Sequence, residues 1–142
     1  MVSEVKILNL WTCPECGRKF ERKGQAHSCK TFALALHFKD KLTGKLLFEK
    51  FKQAVLSQVG PFKVESLECC IHFVTTFTFT AVRIQRNKIK VDFSLNKKVK
   101  NKRIKQSTQM SANRYLYAID ILKAEDIDAE LMEWITEAYY KK

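Results

Sequence analysis

The stretch from Thr78 to Leu95, TFTAVRIQRNKIKVDFSL, constrains the fold more than any other part of the chain. Ile89, Val91, Phe93 and Leu95 alternate with Lys88, Lys90, Asp92 and Ser94, which is the period of a strand with one apolar and one wet face. On the partner run Val82 and Ile84 go inward and Arg83 and Gln85 outward. Arg86-Asn87 joins the two runs as a two-residue connection, in which Asn accepts positive φ. A slip of one residue would carry the whole apolar set into water, so the register is strongly specified. Such a hairpin belongs to an antiparallel sheet whose apolar side another layer must cover.

Two helices are available to cover it. From Gly44 to Val59, Leu47, Phe48, Phe51, Val55 and Val59 recur near the helical period, Lys45, Lys50 and Lys52 take the far side, and Gly60-Pro61 stops the helix. Near the end, Asp126 is placed to cap a helix over 127–139 with Leu131, Trp134, Ile135, Ala138 and Tyr139 on its buried side, and Asp128, Glu130 and Glu133 fall in its first turns. Between these helices the period changes to two, first with Phe62, Val64 and Leu67 and then with Cys69, Ile71 and Phe73 on one face of CCIHFVT, and Tyr115 to Ile121 alternates again. Lys30 to Asp40 reads as a connector or short helix, and Asn96 to Met110 as a charged loop or edge strand. No βαβ crossover pattern or internal repeat occurs. The fold class expected is α+β: an antiparallel sheet packed with two helices, one compact core domain over 31–142 and a zinc-binding segment over 1–30.

That segment carries the most specific chemistry. Trp11 to Cys29, WTCPECGRKFERKGQAHSC, holds C-x2-C, ten residues, then H-x-C. Cys13 and Cys16 sit on one tight turn, with Pro14 fixing a φ angle and Gly17 free to adopt the left-handed conformation. His27 and Cys29 share a face of an extended segment. Cys13, Cys16, His27 and Cys29 would fill a tetrahedron around one Zn2+, the shape of a zinc knuckle, leaving no open position; the ion is structural, not hydrolytic. Buried cysteines or a disulfide are the alternative. Trp11 and Phe20 bracket the knuckle. The chain has five cysteines, and Cys69 and Cys70 are left spare, a usage that fits a reducing, cytoplasmic setting better than a disulfide framework. No signal peptide or membrane span is expected.

The formal charge of +11, from 26 Lys and Arg against 15 Asp and Glu, makes polyanions the default partner class. From Arg83 to Lys105 ten basic residues meet one acid, whereas Glu125 to Glu137 carries six acids and no base. Arg83, Lys88, Lys90, Lys97, Lys98, Lys100, Lys102, Arg103 and Lys105 form the candidate contact surface for DNA or RNA phosphates, with a mobile loop lying beside the hairpin face. A solvated face that maintains solubility is the bland reading. Catalysis finds little support: Cys70 and His72 share a strand face but lie among apolar residues, and no Gly-rich phosphate loop, nucleophile elbow or H-E-x-x-H motif is present. The reading is a zinc-stabilised, non-catalytic binding module that contacts nucleic acid. The alternative is a protein- or small-ligand-binding module using an apolar pocket lined by Phe73, Phe77, Phe79 and Phe93.

The motif W-x-C-P-x-C-G-R-x-F at Trp11 to Phe20, H-S-C at His27 to Cys29, the helix ending in Gly60-Pro61, I-x-F at Ile71 to Phe73 and D-I-D-x-E-L-x-x-W-I-x-x-A-Y from Asp126 to Tyr139 together resemble an uncharacterised bacterial family of domains of unknown function. The resemblance implies one α+β domain and supports Cys13, Cys16, His27 and Cys29 as ligands. It implies no substrate, and the Lys97 to Lys105 stretch matches none of its motifs.

Overall fold

Ile89, Val91, Phe93 and Leu95 are buried to within 2% of complete, and the strand that carries them sits inside a six-stranded antiparallel sheet. The computed structural model describes residues 11–14, 19–20 and 32–140. Among them, β1 (Trp11–Thr12) and β2 (Lys19–Phe20) form a small two-stranded pair. There follow α1 (Leu34–His37), α2 (Leu42–Gln58), β3 (Lys63–Ser66), β4 (Ile71–Val74), β5 (Thr78–Ile84), β6 (Ile89–Leu95), β7 (Ile104–Ser111), β8 (Arg114–Ile121) and α3 (Ala129–Tyr140). The fold is α+β, with the large sheet in the order β3-β4-β5-β6-β8-β7. β8 is inserted between β6 and β7, so the β7–β8 hairpin folds back on the sheet and leaves β7 at the edge.

The hairpin takes the expected register: Ile84 pairs with Ile89 and Val82 with Val91, and the Gln85 N–H donates to the Lys88 carbonyl across the Arg86-Asn87 turn. One side of the sheet is covered by α2 and α3. Leu47, Phe48, Phe51 and Val55 of α2 and Leu131, Trp134, Ile135 and Ala138 of α3 join the inward residues of β4, β5, β6 and β8 in one core. Its rings stack: Phe73 against Phe62 at 4.3 Å and Phe51 at 5.7 Å, and Phe93 against Trp134 at 5.4 Å. Each phenylalanine fully buried this way contributes about 1.5–3 kcal/mol of transfer free energy. Phe73, Phe79 and Phe93, offered above as pocket walls, are core. The Gly60-Pro61 stop is built as expected, with Gly60 at φ 155° and the Tyr139 hydroxyl donating to the Pro61 carbonyl at 2.6 Å.

Three local expectations give way to the structure. Cys69 was placed on the core face with Ile71, but it is exposed in the Leu67–Cys70 turn, where the Leu67 N–H donates to the Cys70 carbonyl at 2.9 Å. The turn interrupts the alternation before the strand starts. Asp126 caps a 3-10 turn, its carboxylate accepting the Leu122 and Lys123 N–H groups, and Asp128 caps α3 by accepting the Leu131 N–H at 3.0 Å. The two aspartates are two residues apart, and only the 3-10 turn decides which one caps the helix. Finally, the Lys-rich stretch is not a free loop beside the hairpin. It is tied to α3 and the residue that caps it: Val99 and Ile104 dock on the core, Lys97 pairs with Glu137, and Arg103 pairs with Asp128 and Glu130.

Candidate metal centre and basic surface

The turn that displaces Cys69 also creates a cluster. His72 points to the face of β4 opposite Ile71 and Phe73, Cys70 lies two residues before it at the entrance to the strand, and the bend at Leu67–Cys70 brings Cys69 round to the same corner. The two sulfurs lie 2.8 Å apart, and the ligand atoms of Cys69, Cys70 and His72 all fall within 4.8 Å of one another. The His72 ring is held by the Thr78 hydroxyl, 3.2 Å from Nδ1, reaching across from β5. Cys69 is exposed, Cys70 buried and His72 half-buried, so the cluster spans the surface and the layer beneath it. Two sulfurs and an imidazole nitrogen suit borderline-soft metals such as zinc. Sequence reasoning set Cys69 aside because alternation alone sends it to the other face.

Burial pushes the Cys70 thiol up to about 12, and the neighbouring Cys69 adds to the shift. A thiol held neutral at pH 7 is no nucleophile, which weighs against a thiol–imidazole catalytic pair. Burial likewise raises the Asp92 carboxyl, against the pull of Arg83 and Lys90 beside it. The outer face of the sheet is therefore not a fully wetted surface.

Of the N-terminal ligand set, Cys13 is described: it directly follows β1 and is buried, and β1 pairs with β2 through Trp11 and Phe20. Cys16, His27 and Cys29 lie outside the described residues.

The nine basic residues divide by what they touch. Lys88 pairs with Asp120 at 3.1 Å and Lys97 with Glu137 at 2.9 Å. Arg103 is the most committed: it meets Asp128 at 2.9 Å and Glu130 at 3.1 Å, donates to the Asp126 carbonyl at 2.7 Å, and lies over the Trp134 ring. Burial opposes ionisation of Asp128, but the Leu131 N–H and the Arg103 guanidinium outweigh it and hold its carboxyl below the usual carboxylate range. Arg83 and Lys90 are cross-strand neighbours beside Asp92, on the face opposite the helices. Lys98, Lys100, Lys102 and Lys105 face solvent. A second basic site escaped the sequence reading: a groove at the start of α2 gathers Lys39, Lys41, Lys45 and Arg86 around Phe38. Lys39, Lys41 and Lys45 lie within seven residues, broken by Asp40, and only the fold brings Arg86 of the hairpin turn beside them.

No helix among the described residues is long and apolar enough to cross a membrane. No curated protein and no solved structure matches the chain. One family model does, over residues 35–141, a span that begins after the Trp11 to Cys29 motif and takes in both long helices and the whole six-stranded sheet. The chain thus belongs to the family described as Domain of unknown function (DUF5655).

Proposed function

We propose that the chain is a zinc-stabilised, non-catalytic binding module of the cytoplasm that contacts nucleic acid through Lys98, Lys100, Lys102 and Lys105. One observation carries the reading. Between β6 and β7, alternate residues are anchored: the Lys97 carbonyl accepts from the Tyr117 hydroxyl at 2.9 Å, the Val99 N–H donates to that hydroxyl at 2.8 Å, Asn101 donates to Glu130, and Arg103 is locked onto α3. The intervening Lys98, Lys100 and Lys102 are exposed. Lys98 and Lys100 flank the anchored Val99, and Lys102 sits in the turn that the Ile104 N–H closes on the Asn101 carbonyl at 3.0 Å, so three exposed cations are carried on a backbone that is held at intervals. Binding a polyphosphate strand there would cost little further backbone entropy. The net charge of +11 favours the encounter.

The zinc belongs to the 1–30 segment and would be held by Cys13, Cys16, His27 and Cys29. Its chemistry is structural: it would close the segment, which has almost no core of its own, onto β1 and β2. Fluorescence anisotropy with labelled single- and double-stranded oligonucleotides at low salt tests the nucleic-acid reading. Binding by the wild type and its loss in Lys98→Glu/Lys100→Glu/Lys102→Glu, with the melting temperature moved by no more than about 1–2 °C, is the expected result. Equal binding by the reversed variant, or none by the wild type, would refute it. Elemental analysis of protein purified without chelators, beside Cys16→Ser/Cys29→Ser, tests the zinc.

A further inference from the structure

We infer that Cys69, Cys70 and His72 form a second metal site at the β3–β4 corner, separate from the N-terminal ligand set, for a thiophilic divalent ion of the zinc class. The inference does not depend on nucleic-acid binding.

Three features of the corner support it. The donor set is the first: two thiols and one imidazole with ligand atoms within 4.8 Å of one another, a chemistry that hard cations do not use and zinc does. The second is reach. Two Zn–S bonds of about 2.3 Å at the tetrahedral angle place their sulfurs roughly 3.8 Å apart, so the 2.8 Å pair must open by about 1 Å on loading. Cys69 supplies that movement by turning about its own side chain, because it sits exposed in a turn, while Cys70 is buried just before β4 and His72 is held within it. The third is support from the next layer: the Thr78 hydroxyl at 3.2 Å from Nδ1 orients the His72 ring from the adjacent strand, as ligating imidazoles generally need.

Loading takes the protons off both thiols and puts them into solvent, replacing two S–H bonds by two metal–thiolate bonds without any change of oxidation state. The described residues provide three ligands, so the fourth position goes to water or an incoming donor on the solvent side. This differs from the closed four-ligand set expected at the N-terminus and makes the corner the more exchangeable of the two sites.

The test uses the full chain, stripped with a chelator, reloaded with zinc and desalted. Wild type should retain one zinc per chain more than Cys69→Ala/Cys70→Ala. Cobalt(II) titration should show a thiolate-to-metal charge-transfer band that the double variant lacks in part, and His72→Ala should weaken cobalt binding at this site at least tenfold. Equal zinc content with identical cobalt spectra in wild type and double variant overturns the inference. Because Cys70 is buried, Cys69→Ala alone is measured in parallel, since its exposed side chain can be removed without opening the core. An unchanged melting temperature with at least tenfold weaker cobalt binding supports the site, and unchanged binding overturns it.

Discussion

Gly44→Ala separates the packing account from local propensity, because the two predict opposite signs. Gly44 lies in the first turn of α2, where replacing Gly by Ala ordinarily stabilises a helix by about 1 kcal/mol. In this fold the start of α2 presses on the end of the β5–β6 hairpin. A Cβ at 44 would stand 2.7 Å from the Ile84 Cγ2 methyl and closer still to the Gln85 carbonyl oxygen. The methyl can turn aside, but the carbonyl belongs to the two-residue turn and cannot move without shifting the hairpin. Helix and turn must part by roughly 1 Å, and overpacking of that kind costs about 2–3 kcal/mol. Net destabilisation should be about 1–2 kcal/mol after crediting the propensity gain, which lowers the melting temperature by roughly 3–8 °C for a chain of this size. Thermal unfolding followed by circular dichroism measures it. A melting temperature that rises by about 3 °C would show that α2 gains its propensity freely and does not press on the hairpin turn.

Tyr117→Phe removes the hydroxyl that accepts from Val99 and donates to Lys97; it should cost about 1–2 kcal/mol and speed hydrogen exchange at the Val99 amide while β6 and β8 stay protected. His37 is buried, packs edge-on against Phe32 at 4.8 Å, and has an Nε2 without a hydrogen-bond partner. Burial lowers its pKa from the ordinary 6.5, so the fold favours the neutral ring: that contribution is complete above about pH 6.5 and is lost as pH falls below it. The melting temperature should therefore drop between pH 7 and 5, and His37→Leu should flatten the drop; an equal slope in both proteins would exclude His37 as its source.

The hairpin, both long helices and their buried faces were legible because each has one clean period and one apolar side. Cys69 was misplaced because alternation was extended two residues back from Ile71, across a turn whose Leu67–Cys70 hydrogen bond no periodicity reports. The metal corner was missed with it. β7 reads IKQSTQMS and was legible only as an edge, since its exposed side chains carry no apolar alternation. Its place beyond β8 depends on a long-range pairing with no local signature. The basic stretch announced itself by charge, but charge alone does not tell that Arg103 is used by Asp128 and Glu130 while Lys98, Lys100 and Lys102 are left to solvent.

The salt dependence of oligonucleotide affinity tests the central claim most directly. If Lys98, Lys100, Lys102 and Lys105 neutralise about four phosphates, a plot of log affinity against log salt should have a slope of about −3.6 for duplex DNA and about −2.8 for single strands. Reversing the three loop lysines should leave a slope near −1 or no measurable binding. A slope near zero, or one that the lysine reversals leave unchanged, would contradict contact through these lysines.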